Sequence, residues 1–441
     1  MNTTTFDEAI PKLIGFLEER MGSAPVSEGV IVRDVQGRLC FFSNSECKNE
    51  NDRSALEEGI ASLLGPYART DRPIAFKGDF GSERILTSLE SAPIQVGKSV
   101  VRLIDRRLVG STWVESETLE RKTPARIVFA TIKGGVGRST ALCVCAADLA
   151  RRGKNVLILD LDLEAPGVGN LMLDEDAMPD YGIVDFLIEE NSIITTQNII
   201  GVSRLTDPSG GRVDVVPSFG KGATRHPENV IPKISKLHAD ESSENGGQLA
   251  KRINESIDKL TSASNYDVVL VDSRAGLAEL AAPAIVGLGA NVLLFGTAQK
   301  QTMEGYRSLF SALQILAQRD LYHDRSAEWR MMLKPVYAKS SMSSPNTRQF
   351  STQFYELFSE FIYDMDSDEA PDPDALMFAE MDPGAPHAAL TIAFSSSFID
   401  FEPTIEPNQL TAPFYEQAYR PFLNGIDKII KNSSGDNSAN N

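Results

Sequence analysis

Cysteine is scarce in this sequence, and so is any long apolar run. Four cysteines in 441 residues, Cys40, Cys47, Cys143 and Cys145, are too few for a disulfide-built scaffold. Cys143 and Cys145 stand one residue apart with no second pair at zinc-site spacing, so they read as small apolar side chains of a helix. No window approaches the ~18 uninterrupted apolar residues of a spanning helix, and no charged stretch leads into an apolar core at the N-terminus. Membrane spanning and secretion are therefore not expected; a cytoplasmic protein is. Positive charge is short as well. The 43 basic against 61 acidic side chains leave a formal charge of −18, which opposes a surface given over to non-specific DNA binding. The acidic run 364–374 resembles a calcium loop only at first glance, because Glu369 stands where glycine is needed and Ala375 where a bidentate glutamate is needed.

What is present begins with Arg126-Ile-Val-Phe-Ala-Thr-Ile-Lys-Gly-Gly-Val-Gly-Arg-Ser-Thr140. An apolar strand runs into a glycine-rich turn and then into the start of a helix, which is the local context of a phosphate-binding loop. Gly134, Gly135 and Gly137 permit backbone angles and close approaches that a Cβ obstructs. The amides from Gly134 through Val136, Gly137, Arg138, Ser139 and Thr140 are placed to form a nest for a polyphosphate, and the Ser139 hydroxyl suits magnesium. Further along, Val-Leu-Ile-Leu runs into Asp160-Leu-Asp162, and Val268-Val-Leu-Val runs into Asp272. Each is a buried strand that delivers a carboxylate at its end. Asp272 is the candidate for metal coordination at the edge of the nucleotide site.

The loop resembles the deviant Walker A motif K-G-G-x-G-K-[ST] of the MinD/ParA-like ATPases, with Lys133 first and Arg138 where that motif has its second lysine. The resemblance implies ATP and Mg2+ as cofactors and an ATP-dependent homodimer in which Lys133 reaches the partner's phosphates. It makes Lys133, Arg138 and Asp162 the catalytic candidates, Asp162 by positioning water. It adds Asp160 to Ser139 and Asp272 near the metal, and puts Lys334 and Pro335 near the base pocket. Arginine keeps the charge of lysine but is planar and bulkier, so the departure at Arg138 bears on hydrolysis more than on binding. The KGGVGR form resembles a variant branch that includes proteins encoded near bacterial defence genes. The function expected is an ATP-binding, slowly hydrolysing dimeric switch that controls an effector or regulatory protein, in a setting of anti-phage defence. Two alternatives are a non-hydrolysing nucleotide-dependent scaffold and a ParA-like ATPase that partitions DNA or cargo.

A chain of this length exceeds one hydrophobic core. The fold expected is α/β: a mostly parallel P-loop NTPase sheet flanked by helices over residues 119–431, with a smaller N-terminal α+β module over 1–118. Residues 432–441 read as a disordered tail. In the module, Phe6, Ile10, Leu13, Ile14 and Leu17 give helical spacing, Val30 to Phe42 reads as a hairpin turning at Gln36-Gly37, and residues 52–64 read as a helix. Strands are predicted around 84–89 and 98–105. This module is where sensing or recruitment is expected.

Overall fold

The computed structural model describes residues 4–47, 49–106, 113, 120–189, 194–204, 210–241, 248–278, 281–341, 344–364 and 375–433. The expected boundary at 118/119, most of the acidic run 364–374, most of the polar interval 239–248 and the tail from 434 lie outside them. The chain divides into two compact units, residues 1–115 with 312–327, and residues 116–311 with 328–441. Among the described residues no helix is long and apolar enough to cross a membrane.

The first unit is built on a five-stranded mixed sheet in the order β3-β2-β1-β5-β4. Its strands are β1 (Val30–Arg33), β2 (Leu39–Phe42), β3 (Ile74–Ala75), β4 (Ala92–Val96) and β5 (Ser99–Asp105). The β1–β2 turn is held by Asp34, whose carboxylate accepts from the amides of Gln36 and Arg38, and Gly37 supplies the positive φ that closes it. Helices Phe6–Met21 and Glu50–Leu64 bury Leu13, Leu17, Ile60 and Leu64 against Ile31, Phe41, Val101 and Leu103 on one sheet face. The strand predicted around 84–89 is instead a short helix, Ser82–Leu86, whose Ile85 and Leu86 cover the other face beside Val32 and Phe42. Two adjacent apolar residues carry no period, so sequence alone does not separate helix from strand there. The β4 edge strand was hidden by Pro93, which a sheet tolerates at its edge.

The second unit holds an eight-stranded sheet in the order β13-β12-β11-β6-β10-β7-β9-β8, parallel throughout except for the β8–β9 pair. Its strands are β6 (Ala125–Thr131), β7 (Val156–Leu161), β8 (Gly201–Val202), β9 (Val213–Val216), β10 (Val268–Ala275), β11 (Asn291–Gly296), β12 (Leu333–Ser340) and β13 (Leu390–Ala393). All seven residues of β6 are buried, as are all six of β7 and of β11. Both faces of a parallel sheet are covered, so its strands read as unbroken apolar runs rather than alternating ones. Helix Arg138–Arg151 buries every residue from Ala141 to Ala150 and follows β6 directly.

The topology places the site. From β6 the chain crosses over β10's position to β7 and β9, then returns to β10 and proceeds through β11 to β12 and β13 on the other side. The reversal at β6 opens a crevice at the carboxyl ends of the strands, where open α/β sheets bind ligands. Phe129 on β6 stacks on Phe295 of β11 at 5.7 Å, and both rings meet Phe422 of the C-terminal helix Ala412–Ser433 edge-on at 6.2 and 6.0 Å. Truncating a buried phenylalanine of this kind costs about 3–5 kcal/mol. That helix runs through Ser433, taking in the first two residues expected in the tail.

Candidate functional site

The turn after β6 is set by Thr131. Its hydroxyl accepts from the Lys133 amide at 3.2 Å and lies 3.0 Å from the Phe295 carbonyl, tying the loop's first residues to β11. Gly135 and Gly137 have φ of 76° and 87°, which only glycine adopts without strain. A Cβ built on Gly134, Gly135 or Gly137 meets no atom within 4 Å, so the loop faces open space on the side its glycines keep clear. Gly137 then caps helix Arg138–Arg151. Val136 is buried beneath the loop and Thr140 is partly buried on the helix's first turn.

Four of the residues singled out in the sequence converge beneath this loop. The Ser139 hydroxyl donates to Asp272 Oδ2 at 2.7 Å. Arg138 turns inward: its Nη2 donates to Asp162 Oδ2 at 2.8 Å, and its Nε lies 2.6 Å from Asp272 Oδ1. Its side chain is 8% exposed and that of Asp272 1%. The guanidinium thus stands between two carboxylates, 3.5 Å from the Ser139 oxygen. Burial works against its charge, but Asp272 and Asp162 outweigh burial and hold its pKa above the ordinary value. Burial pushes the Asp272 carboxyl up, against the pull of Arg138.

Asp160 is wholly buried and faces a different task. Its carboxylate accepts from the amides of Asp162, Gly167 and Gly169 at 3.1, 3.3 and 3.5 Å, so it shapes the loop that carries Asp162. Burial, reinforced by the neighbouring Asp272 charge, raises its pKa. After β10 the Gly276 amide bonds the Thr131 carbonyl at 2.8 Å, joining that turn to the end of β6, and Arg274 pairs with Glu164.

Lys133 lies on the exposed rim, where its Nζ donates to Gln301 Oε1 at 3.2 Å. Lys334 and Pro335 do not join the cluster. The Lys334 ammonium donates to the Ala385 carbonyl at 2.8 Å, on a strand separated from β6 by β11. A residue that sequence reading passed over does reach the loop: the Lys339 Nζ donates to the Gly135 carbonyl at 2.6 Å. Nothing in the local sequence marks it, since it is the pairing of β12 that turns it there.

The chemistry of these groups fits a magnesium-bound polyphosphate. Asp162 Oδ1 is buried and accepts no hydrogen bond among the described residues, whereas Asp272 Oδ1 faces the Arg138 guanidinium; the two carboxylates and the Ser139 hydroxyl are hard oxygen donors of the kind magnesium takes. The amides of a glycine loop at a helix start supply the complementary anion nest.

Residues 125–324 match a family model described as an AAA domain. No curated protein matches the chain. Similar solved structures include ParA of pNOB8 bound to nonspecific DNA, 16% identical over 70% of this chain and 98% of that one, with a TM-score of 0.43. A plasmid partition protein of Borrelia burgdorferi bound to AMPPNP is 16% identical over 70% and 99% of the two chains, at 0.40. The cell division ATPase MinD of Pyrococcus furiosus is 18% identical over 70% and 100%, at 0.42. TM-scores this low carry no functional argument.

Proposed function

We propose, for a chain whose residues 125–324 match a family model described as an AAA domain, that this region is a P-loop ATPase domain of the MinD/ParA kind and the protein a nucleotide-dependent molecular switch acting on a partner protein. The observation that carries this reading is the open glycine loop at the end of β6 together with the Ser139–Asp272 hydrogen bond of 2.7 Å beneath it. The loop amides would hold the β- and γ-phosphates, and Ser139 with Asp272 would hold Mg2+. The metal, when bound, neutralises phosphate charge during transfer. Asp162 is the carboxylate placed to orient water, and a carboxylate at neutral pH contributes more by positioning than as a base. Asp160 keeps the Asp162 loop in place through its three amide contacts. Lys133, exposed on the rim, is free to leave Gln301 for a second copy's phosphates, which would make the nucleotide-bound state a homodimer.

The position of Arg138 favours the scaffold alternative over a switch driven by turnover. A guanidinium held by two carboxylates is not free to stabilise charge developing on a transferring phosphoryl group, and its removal from them costs the energy of two ion pairs. Binding would then set the state and hydrolysis would be slow or absent. The partition alternative requires a DNA grip that a formal charge of −18 disfavours. The anti-phage setting rests on the KGGVGR resemblance alone and is tested by phage challenge of a host carrying or lacking the gene. For the switch itself, the test is MgATP titration with sedimentation and phosphate release, for the parent and for Lys133→Ala, Ser139→Ala and Asp162→Ala. Lys133→Ala should bind one nucleotide per chain yet fail to pair. A parent that pairs equally with and without nucleotide would refute the switch, and ATP-dependent, salt-sensitive DNA binding would transfer support to partition.

A further inference from the structure

The loop needs a cation for the polyphosphate, and of the three near it Arg138 is held by carboxylates and Lys133 is assigned above to a second copy's phosphates. Arg138, at the position of the motif's second lysine, is buried between Asp162 and Asp272. Lys133 rests on Gln301 at the rim. Lys339 is exposed, and among the described residues its ammonium forms no ion pair with a carboxylate. Its ammonium stands 2.6 Å from the carbonyl of Gly135, a residue of the loop itself.

The backbone shows that this placement is built rather than incidental. Lys339 has φ of 55°, and Asp324 is the one other non-glycine residue with positive φ among those described. A lysine in this left-handed region costs about 1–2 kcal/mol relative to the ordinary regions, and such conformations gather at ligand sites. The cause is an irregularity in the β12–β13 pairing, whose register shifts between Tyr337 and Ser340. A bulge of this sort re-aims one side chain out of the alternation of its strand. Ala338 and Ser340 on either side remain buried, while Lys339 is thrown outward to the loop.

We infer that Lys339 is the polyphosphate-binding cation of this site, serving in place of the lysine for which the loop has Arg138. The inference rests on the nucleotide-binding reading above. On ligand binding its ammonium exchanges a neutral carbonyl partner for an anionic one, a stronger bond. Arg138 is thereby left to balance the buried carboxylates.

The test is calorimetric titration of the full chain with MgATP, with inorganic tripolyphosphate and with adenosine, for the parent, Lys339→Gly and Lys339→Arg. Glycine accepts φ of 55° without strain, so Lys339→Gly removes the ammonium and leaves the backbone at ease. Melting without ligand verifies that each variant is folded. Lys339→Gly should weaken tripolyphosphate and MgATP by about 10- to 100-fold, the range of a lost charge-assisted hydrogen bond, with Lys339→Arg between it and the parent. Tripolyphosphate bound by Lys339→Gly as tightly as by the parent would overturn the inference and leave Lys339 a brace for the loop. Weakened adenosine with tripolyphosphate unchanged would overturn it in favour of a base contact. A parent that binds neither MgATP nor tripolyphosphate refutes the nucleotide reading itself, a failure seen without any variant.

Discussion

Replacing Arg138 by alanine should destabilise the ligand-free protein more than any other single change in the loop. The guanidinium is the partner of both Asp162 and Asp272, at 2.8 and 2.6 Å, and the Asp272 side chain is 1% exposed. Removing one member of a buried ion pair leaves an uncompensated charge and costs about 3–5 kcal/mol. The sign with pH follows from Asp272, whose pKa burial raises above its unfolded value. A raised folded pKa means that the native state holds a proton the unfolded chain has released, so that contribution is fully present at low pH and is lost as pH rises through the folded value. Without Arg138 the carboxyl is pushed higher still, so the deficit of Arg138→Ala should be smallest near pH 5 and largest above pH 7. Urea unfolding followed by Trp329, which is buried in the same unit as the site, reads the difference as a shift in midpoint. Adding MgATP at about 100 times its dissociation constant should return about 2.7 kcal/mol to parent and variant alike. The triple variant with Asp162→Asn and Asp272→Asn should recover most of the loss. An Arg138→Ala midpoint equal to the parent's at pH 7, or a triple variant no more stable than the single, would refute the reasoning.

Other expectations follow from the same geometry. Gly137→Ala forces an L-residue to φ of 87° at a cost of about 1–2 kcal/mol, and its methyl enters the cleared side of the loop, so melting should fall and MgATP affinity with it. Lys334 is pushed down to about 8 by burial and the nearby Lys428 charge. Between that value and its unfolded pKa the unfolded chain holds the proton and the native chain does not, so stability should rise with pH there by up to about 3 kcal/mol. Lys334→Met should be more stable than the parent at pH 7 and lack that rise in denaturant titrations. Asp160→Ala removes the acceptor of three amides and should loosen residues 162–169, read as faster amide exchange there, before it alters magnesium affinity.

The parts of the fold that were legible in the sequence are those where burial leaves a one-dimensional trace. β6, β7 and β10 are apolar runs ending at a glycine loop or a carboxylate because they are covered on both faces and open only at their ends. The loop and the strand-end carboxylates Asp162 and Asp272 are therefore visible in the sequence, while the role of Asp162 comes only from the resemblance. The destination of Arg138 could not: its partners lie 24 and 134 residues away, and the motif suggests phosphate rather than carboxylate. Lys334 was singled out by the resemblance, as a residue near the base pocket, whereas the contact of Lys339 with the loop goes with the register shift at 337–340. Register irregularities belong to the pairing of two strands and leave no mark on either one. The same holds for β3, two residues long, which exists only by pairing with β2.

The most direct measurement is calorimetric titration of the full chain with ATP and Mg2+, set beside the same titration of Ser139→Ala. Saturable binding of one nucleotide per chain is expected of the parent, and weaker, less magnesium-dependent binding of the variant. Absence of binding by a folded parent, or parent-like magnesium dependence in Ser139→Ala, would contradict the nucleotide reading.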